Sequence, residues 1–516
     1  MLKLFRFRVI GRVSAARIAA VLASSSPVET AAPTTVLRRH VDTFDWALWR
    51  AGSRLTLEVA AGRTTARWER AGEGRGRRLP VELNVVAAGD LPGGPLRDEV
   101  AAAAAGRALL PVGEVRARRR ELRVVDADGK TRVRVWIDTI QPLRGGRPAG
   151  SRARFVTVEP LTGYARAAAA VAARLHAEPG LAATEEEELA LAAAATGRRP
   201  GDYTSKLAVP LRAAEPAERA VRRILQHLAA TLAANVDGTL RDLDAEFLHD
   251  LRVATRRTRT CLGQLKDVFP AAVIGRFGDE FRWLADATNQ CRDLDVFVAE
   301  LLRRGDALPS VDAGVLDPLL EQVRVERAEA QRELAAALTS ERFGALLRRW
   351  RRVIGRRFVG GERGAEPVAD LAAERTLRAY RRLSSHARRL APGAPAAELH
   401  RLRIDAKKLR YLLEFFAGLW DPEATKALVA ELKLVQDTLG DYHDAFLQVG
   451  RLKTLAPVVL ASGAGAATLL AMGRLVADLE RSRAVQAERV LARLSAFAAP
   501  PFPHRLAALV ARRGGA

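Results

Sequence analysis

The sequence predicts an α+β multidomain protein: an N-terminal antiparallel β barrel with helices, then an all-α domain built as a duplicated four-helix bundle. Three observations carry this. Residues 1–206 hold strand-length segments of alternating polarity with turn residues between them. From Ala217 onward turn clusters become few and helical periodicity dominates. Finally, LHDLRVATRRTR at 248–259 returns as LHRLRIDAKKLR at 399–410, and the same offset of 151 residues carries Arg292-Asp293 onto His443-Asp444. Two separate windows in one register mark an internal duplication.

Composition bounds the function. At 516 residues the chain is too long for one ordinary core, and at 48% hydrophobic it has ample material for burial. The net charge of +23 divides into +12 for residues 1–206 and +11 for 207–516, so both folded parts are basic. A polyanion or an acidic surface is the natural class of partner. Aromatics at 5% argue against a base-stacking platform for single-stranded nucleic acid. Cys261 and Cys291 have no metal-ligand spacing and are expected as small buried residues in a reducing cytosol. No run approaches a membrane span, so no membrane partner is expected. The opening MLKLFRFRVIGRVSAARIAAVLASSS imitates a secretion signal, but Arg12 and Arg17 interrupt it, and it reads as strand then helix.

In chain order, residues 2–10 alternate apolar and basic as a strand, and Ser14–Leu22 reads as a helix. Strands are expected at Val36–Asp42, Arg54–Val59, Thr64–Arg70, Val81–Val86, Glu114–Val125, Thr131–Thr139 and Ala153–Glu159, with Asp128-Gly129 as a hairpin turn. Arg116, Arg118 and Arg120, then Arg132 and Arg134, alternate along two of these strands, pointing into a barrel or out to solvent. Helices follow at Tyr164–Ala177 and Glu185–Ala195. The second part reads as helices at Ala217–Asn235, Glu246–Asp267, Phe277–Asn289, Leu294–Arg304, Val315–Thr339 and Phe343–Gly355. A further set is expected at Leu371–Leu390, Ala396–Leu419, Pro422–Leu439, Asp444–Leu455, Gly463–Phe497 and Pro503–Arg513. The two repeats cover about 207–340 and 365–512.

Within each duplicated helix two stripes run side by side. At about 100° per residue, His249, Arg252, Arg256 and Arg259 share a face roughly 80° wide. Leu248, Leu251, Thr255, Leu262 and Leu265 form the apolar stripe beside it. The second copy repeats this with His400, Arg403, Lys407 and Arg410 against Leu399, Leu402, Ala406, Leu409, Leu413 and Phe416. A merely soluble helix mixes charge signs, so a basic face with few acids points to an anionic partner. Asp42, Asp45 and Asp138 are expected as turn residues or arginine partners, while Arg257 and Lys408 read as solvated charges. His386 belongs to no usable pattern.

The first part resembles the CYTH domain, the triphosphate tunnel fold, through HVDTFDWALWRAG at 40–52, VRARRRELRV at 115–124, Trp136-Ile137-Asp138 and GDYTSK at 201–206. The resemblance implies a β tunnel over 1–206 with a divalent metal held by glutamates. The family's E-x-E-x-K is here Leu2, Leu4 and Arg6, and the later acidic strand keeps only Glu159. A hard cation needs several oxygen ligands, so metal catalysis is not expected and no catalytic or metal residues are assigned. Arg6, Arg116, Arg118, Arg120, Arg132 and Arg134 are candidate secondary phosphate ligands, since guanidinium binds phosphate oxygens in pairs.

The second part, 207–516, resembles the CHAD domain, the conserved-histidine α-helical domain, through both histidine-bearing copies, DLDVF at 293–297 and QDTLGDYHDA at 436–445. The resemblance implies binding of inorganic polyphosphate; with the cytosolic location expected from the cysteines, attachment to polyphosphate granules is the accompanying expectation. The resemblance implies as ligands His249, Arg252, Arg256, Arg259 and Arg292 in the first half, and His400, Arg403, Lys407, Arg410 and His443 in the second. Asp293 and Asp444 are expected to orient these bases. No cofactor is required. Two alternatives stand beside this: an inorganic triphosphatase dependent on Mg or Mn, and non-specific nucleic-acid binding through the same stripes. The oligomeric state is left open.

Overall fold

The computed structural model describes residues 4–70, 76–82, 85–305, 314–357, 361–391 and 393–511. The chain separates into two compact units, Met1–Thr204 and Ser205–Ala516.

The first unit runs β1 (Phe5–Val9), α1 (Ala15–Ala23), β2 (Val28–Thr30), β3 (Thr34–Asp42), α2 (Ala47–Arg50), β4 (Ser53–Ala60), β5 (Arg63–Arg70) and β6 (Arg77–Pro80). It continues with α3 (Pro95–Ala104), β7 (Leu110–Val125), β8 (Thr131–Arg144), β9 (Arg147–Pro148), β10 (Ala153–Pro160), α4 (Ala165–Ala177), β11 (Leu181–Ala183) and α5 (Glu188–Ala195). All pairings are antiparallel along β11-β1-β10-β8-β7-β3-β4-β5-β6, with β2 on β7 and β9 on β8. A cavity of about 620 Å³ is lined by residues of β1, β3 to β8, β10 and α5, so the sheet curls around it. The opposite face buries Phe7, Leu122, Val135, Ile137 and Val156 beneath Ile18 and Leu22 of α1 and Val171 and Leu175 of α4. Where the cavity lies, period-two alternation thus divides a polar inner face from an apolar face beneath α1 and α4.

Two local expectations change. Val81–Val86 is not a strand in its described residues (83 and 84 lie outside them): the pairing strand is the earlier β6, whose Arg77 to Pro80 face Trp68 to Thr65. The helix α3 was not anticipated, although Pro95 in its first turn and the alanine run after it are helix signals. On β7, a Cβ at Gly113 would come within 2.5 Å of the Ala192 backbone on α5. Gly113→Ala is expected to destabilise this unit by about 1–3 kcal/mol, read by denaturant unfolding, because α5 must be pushed off the sheet.

The second unit is helical: α6 (Ala217–Ala234), α7 (Val236–Leu240), α8 (Ala245–Gln264), α9 (Ala271–Ala287), α10 (Asn289–Gly305), α11 (Asp317–Thr339) and α12 (Glu341–Ile354). Then come α13 (Val368–Arg388), α14 (Ala396–Phe415), α15 (Pro422–Ala461), α16 (Ala466–Ala498) and α17 (Pro501–Ala511). Leu, Val, Ala and Phe stripes from these helices form one continuous core. The duplication is visible in the backbone. Ala217 N–H donates to Glu366 O at 2.8 Å, and Val368 N–H donates to Glu215 O at 2.9 Å. Both donor and acceptor are related by the same 151-residue offset, so these two bonds are reciprocal across a local two-fold between the starts of α6 and α13.

One element departs from the repeat. Helices expected at Pro422–Leu439 and Asp444–Leu455 are a single 40-residue helix, α15. In the first half the corresponding break between α9 and α10 lies at Thr288-Asn289. There the Thr288 hydroxyl donates back to Ala285 O, and Arg252 donates to Ala285 O, Thr288 Oγ1 and Asn289 Oδ1. The second half has Leu439-Gly440 at those positions, with no side-chain group to terminate the helix, so the α ladder continues through.

Candidate functional site

The duplicated helices α8 and α14 pack against each other. Each buries its leucine stripe, Leu248, Leu251 and Leu262 on one and Leu399, Leu402 and Leu409 on the other, which fixes the basic stripes beside that seam. The two stripes then meet around Tyr411. The guanidiniums of Arg256, Arg257 and Arg410 stand 5.8, 5.7 and 5.1 Å from its ring centroid. Glu414 accepts from Arg257 at 2.5 Å and from Arg410 at 3.2 Å, linking the two halves through one carboxylate. Arg257 also donates to Ser205 O at 3.1 Å and is largely buried, which corrects its reading as a solvated charge.

Positive charge here exceeds its compensation. Burial first, then the Arg256 and Arg403 guanidiniums, pull the Lys407 pKa down to about 7, against the opposing pull of Asp444. Arg256 is the residue equivalent to Lys407 in the other half, so the repeats place corresponding cations close enough to repel. Burial, followed by the charges of Arg403 and Lys407, lowers the His400 pKa. His443 is lowered by burial, then by Arg403 and His400. The two imidazoles lie 4.9 Å apart between ring centroids. Arg403 Nη2 lies 3.5 Å from Asp444 Oδ1, and its guanidinium passes over Gly440, where an added Cβ would come 3.7 Å from Nη2. Asp444 therefore orients a base, as the sequence suggested.

The first half is less available. Arg252 is consumed by the α9–α10 turn, and Arg292 donates to Ala245 O at 3.2 Å with Glu246 4.0 Å away. His249 is half-buried on α8 and Arg259 is exposed at its far end. The structure thus gathers Arg256, His400, Arg403, Lys407, Arg410 and His443, and leaves Arg252 and Arg292 in structural bonds. Sequence reasoning missed Tyr411 and Glu414, whose counterparts in the first copy are Thr260 and Gly263, so the repeat gave no signal for them. It also missed the support behind α14: buried Asp405 meets His386 Nδ1 at 2.8 Å, Arg382 at 3.2 Å and Lys408 at 3.5 Å.

In the first unit, Arg6 and Arg134 line the cavity, together with Arg38, Arg67, Arg78 and Arg119. Arg116, Arg118 and Arg120 fall on the opposite face, because Arg119 is the residue of β7 that shares the inner face with Asp138. Arg132 stands over Tyr164, 5.4 Å from its centroid, and is not among the cavity residues. Asp138 pairs with Arg119 and Arg38, and Asp42 accepts from the backbone N–H groups of Thr43, Leu48 and Trp49, as expected of an arginine partner and a turn residue. Cys261 and Cys291 are both buried and free. None of the described helices is long and apolar enough to cross a membrane.

Comparison with known proteins finds similarities over parts of this chain. The family described as CHAD domain matches residues 222–453. An uncharacterized protein of Mycobacterium tuberculosis is 26% identical over 436 residues, covering 80% of this chain and 81% of that protein. Among solved structures, the CHAD domain from the plant Ricinus communis is 26% identical, covering 57% of this chain and 96% of that one, with a TM-score of 0.47. A putative adenylyl cyclase from Hippeastrum, described as having a dominant triphosphatase activity, is 14% identical, covering 40% of this chain and all of that one, with a TM-score of 0.27.

Proposed function

We propose that this chain, whose residues 222–453 match the family described as CHAD domain, binds inorganic polyphosphate along the joint basic surface of α8 and α14. The observation that carries this is the meeting of Arg256 and Lys407, equivalent positions of the two repeats, in a cluster with more cations than acids. Holding like charges together costs energy in the free protein, and a polyanion recovers it. Polyphosphate brings closely spaced negative charge and no bases to read. A dense array of guanidinium forks, one flexible ammonium and two imidazoles suits such a ligand. Both halves contribute, so one phosphate chain spans the seam. Association with cytoplasmic polyphosphate granules belongs to the same proposal, and no cofactor takes part.

Two other functions are distinguished by experiment. With fluorescent long-chain polyphosphate bound, RNA or DNA at equal phosphate concentration is expected to displace little of it; efficient displacement would make the surface a general polyanion site. Salt alone does not discriminate, since counterion release weakens binding of either polymer. Incubation with tripolyphosphate and Mg²⁺ or Mn²⁺ is expected to release no phosphate above background. Sustained turnover would make the chain a triphosphatase instead.

A further inference from the structure

The tunnel resemblance of the first unit implies a divalent cation held by acidic side chains, and the donor set here does not fit one. Among the described residues no group of three or more His, Cys, Asp or Glu side chains is arranged to hold a metal ion. The interior acids instead converge on a guanidinium. Arg38, 3% exposed, donates through Nη1 to Glu188 at 2.6 Å and through Nη2 to Asp138 at 3.2 Å. Its Nε lies 3.3 Å from Glu58 Oε1, a charge contact without hydrogen-bond alignment. Oxygens of Asp138, Glu188 and Glu159 have further partners. Arg119 pairs both oxygens of Asp138 at 2.9 Å, and His40 Nε2 meets Glu188 Oε1 at 3.1 Å. Trp136 donates to Glu159 at 2.9 Å.

We propose that Arg38 is the resident cation of this unit: its buried guanidinium fills the cluster formed by Glu58, Asp138 and Glu188, and the cavity works without a divalent metal. Elements far apart in the chain build the cluster, with Arg38 on β3, Glu58 on β4, Asp138 on β8 and Glu188 at the start of α5. The cation that joins them therefore also ties α5 to the sheet. Burial, the largest single influence, would push the Asp138 and Glu188 pKa values up, yet Arg38 together with Arg119 at Asp138, and with His40 and Arg6 at Glu188, holds both below the usual carboxylate range. Ionisation of Asp138 and Glu188 therefore rests on cations that the chain carries itself. A divalent ion would have to displace a guanidinium already bonded to two carboxylates and shed its own water, to reach Asp138 and Glu188 oxygens that already have hydrogen-bond partners. Arg6, which also lines the cavity, stacks 4.3 Å from the Phe155 centroid, and its buried Nε, like that of Arg38, has no hydrogen-bond partner.

This inference is independent of the polyphosphate reading, which concerns the other unit. The test is Mn²⁺ titration of the full chain by electron paramagnetic resonance, paired with thermal unfolding in millimolar Mn²⁺ or chelator. The wild-type protein is expected to leave the free Mn²⁺ spectrum unchanged and to melt identically in both conditions. Arg38→Ala is expected to lower the melting temperature by about 10 °C, since Glu58, Asp138 and Glu188 lose the one counter-charge they share. Mn²⁺ should recover part of that loss in Arg38→Ala but not in Arg38→Lys, which keeps a fixed charge. Wild-type Mn²⁺ binding that Glu188→Gln removes would overturn the proposal. So would a folded Arg38→Ala protein that neither loses stability nor takes up Mn²⁺. If Arg38→Ala does not fold, the wild-type and Glu188→Gln titrations decide the matter.

Discussion

Replacing Arg256 and Lys407 together by glutamate is expected to lower polyphosphate affinity by about a thousandfold or more while preserving helical content. The two residues are equivalents in the repeat and the most closely coupled cations across the α8–α14 seam. Reversing both removes two phosphate contacts and turns their sites repulsive to any phosphate held by Arg403 or Arg410. The fold has little reason to follow, because Leu248, Leu251, Leu402 and Leu409 remain as the apolar stripes. Losing one cation–π contact to Tyr411 costs only about 0.5–1 kcal/mol. A new carboxylate near Glu414 is the one local penalty, so the neutral pair Arg256→Gln and Lys407→Gln serves as a control with a smaller loss of affinity. Circular dichroism and equilibrium titration are read together. Undiminished affinity in either natively helical variant would show that phosphate binds elsewhere.

The second large effect is pH dependence. Lys407 has a pKa near 7, so it is about half neutral at neutral pH in the free protein. Bound polyphosphate favours the charged form and raises that pKa. Affinity is therefore fully supported by Lys407 below about pH 7, and falls as pH rises through 7 toward the bound-state value. His400 and His443, both lowered from the ordinary histidine value, extend the trend to more acidic pH. Where one proton is coupled, affinity changes by about tenfold per pH unit. Calorimetry in buffers of different ionisation enthalpy should show net proton uptake on binding. Lys407→Arg should flatten the profile above pH 7, because the guanidinium stays charged. A flat profile in the unaltered protein would mean that these groups do not face the ligand.

The fold class and the helical repeat were legible because both rest on periodicity. Strand alternation, helical spacing and the 151-residue offset survive in one dimension. Two of the failures, at Arg119 and around Arg38, needed a partner distant in sequence. Gly440 in α15 read as a helix end, although the missing counterparts of Thr288 and Asn289 were visible at Leu439-Gly440. Arg119 was overlooked among the alternating Arg116, Arg118 and Arg120 because only strand register reveals which face turns inward. The cluster around Arg38 draws on residues as far apart as 38 and 188, beyond any spacing rule. In the basic site the ligand stripes were legible, but their use was not. Arg252 reads the same as Arg403 in sequence, yet one closes a turn and the other pairs with Asp444 over a glycine.

The central claim is that the seam between α8 and α14 forms one polyphosphate site from both repeats. The most direct measurement is calorimetric titration of the full chain with long-chain polyphosphate at physiological salt, with the Arg256→Glu/Lys407→Glu protein in parallel. The account predicts saturable binding by the unaltered protein that weakens as salt rises, and none by the variant. Absence of saturable binding, or equal binding by both proteins, would contradict it.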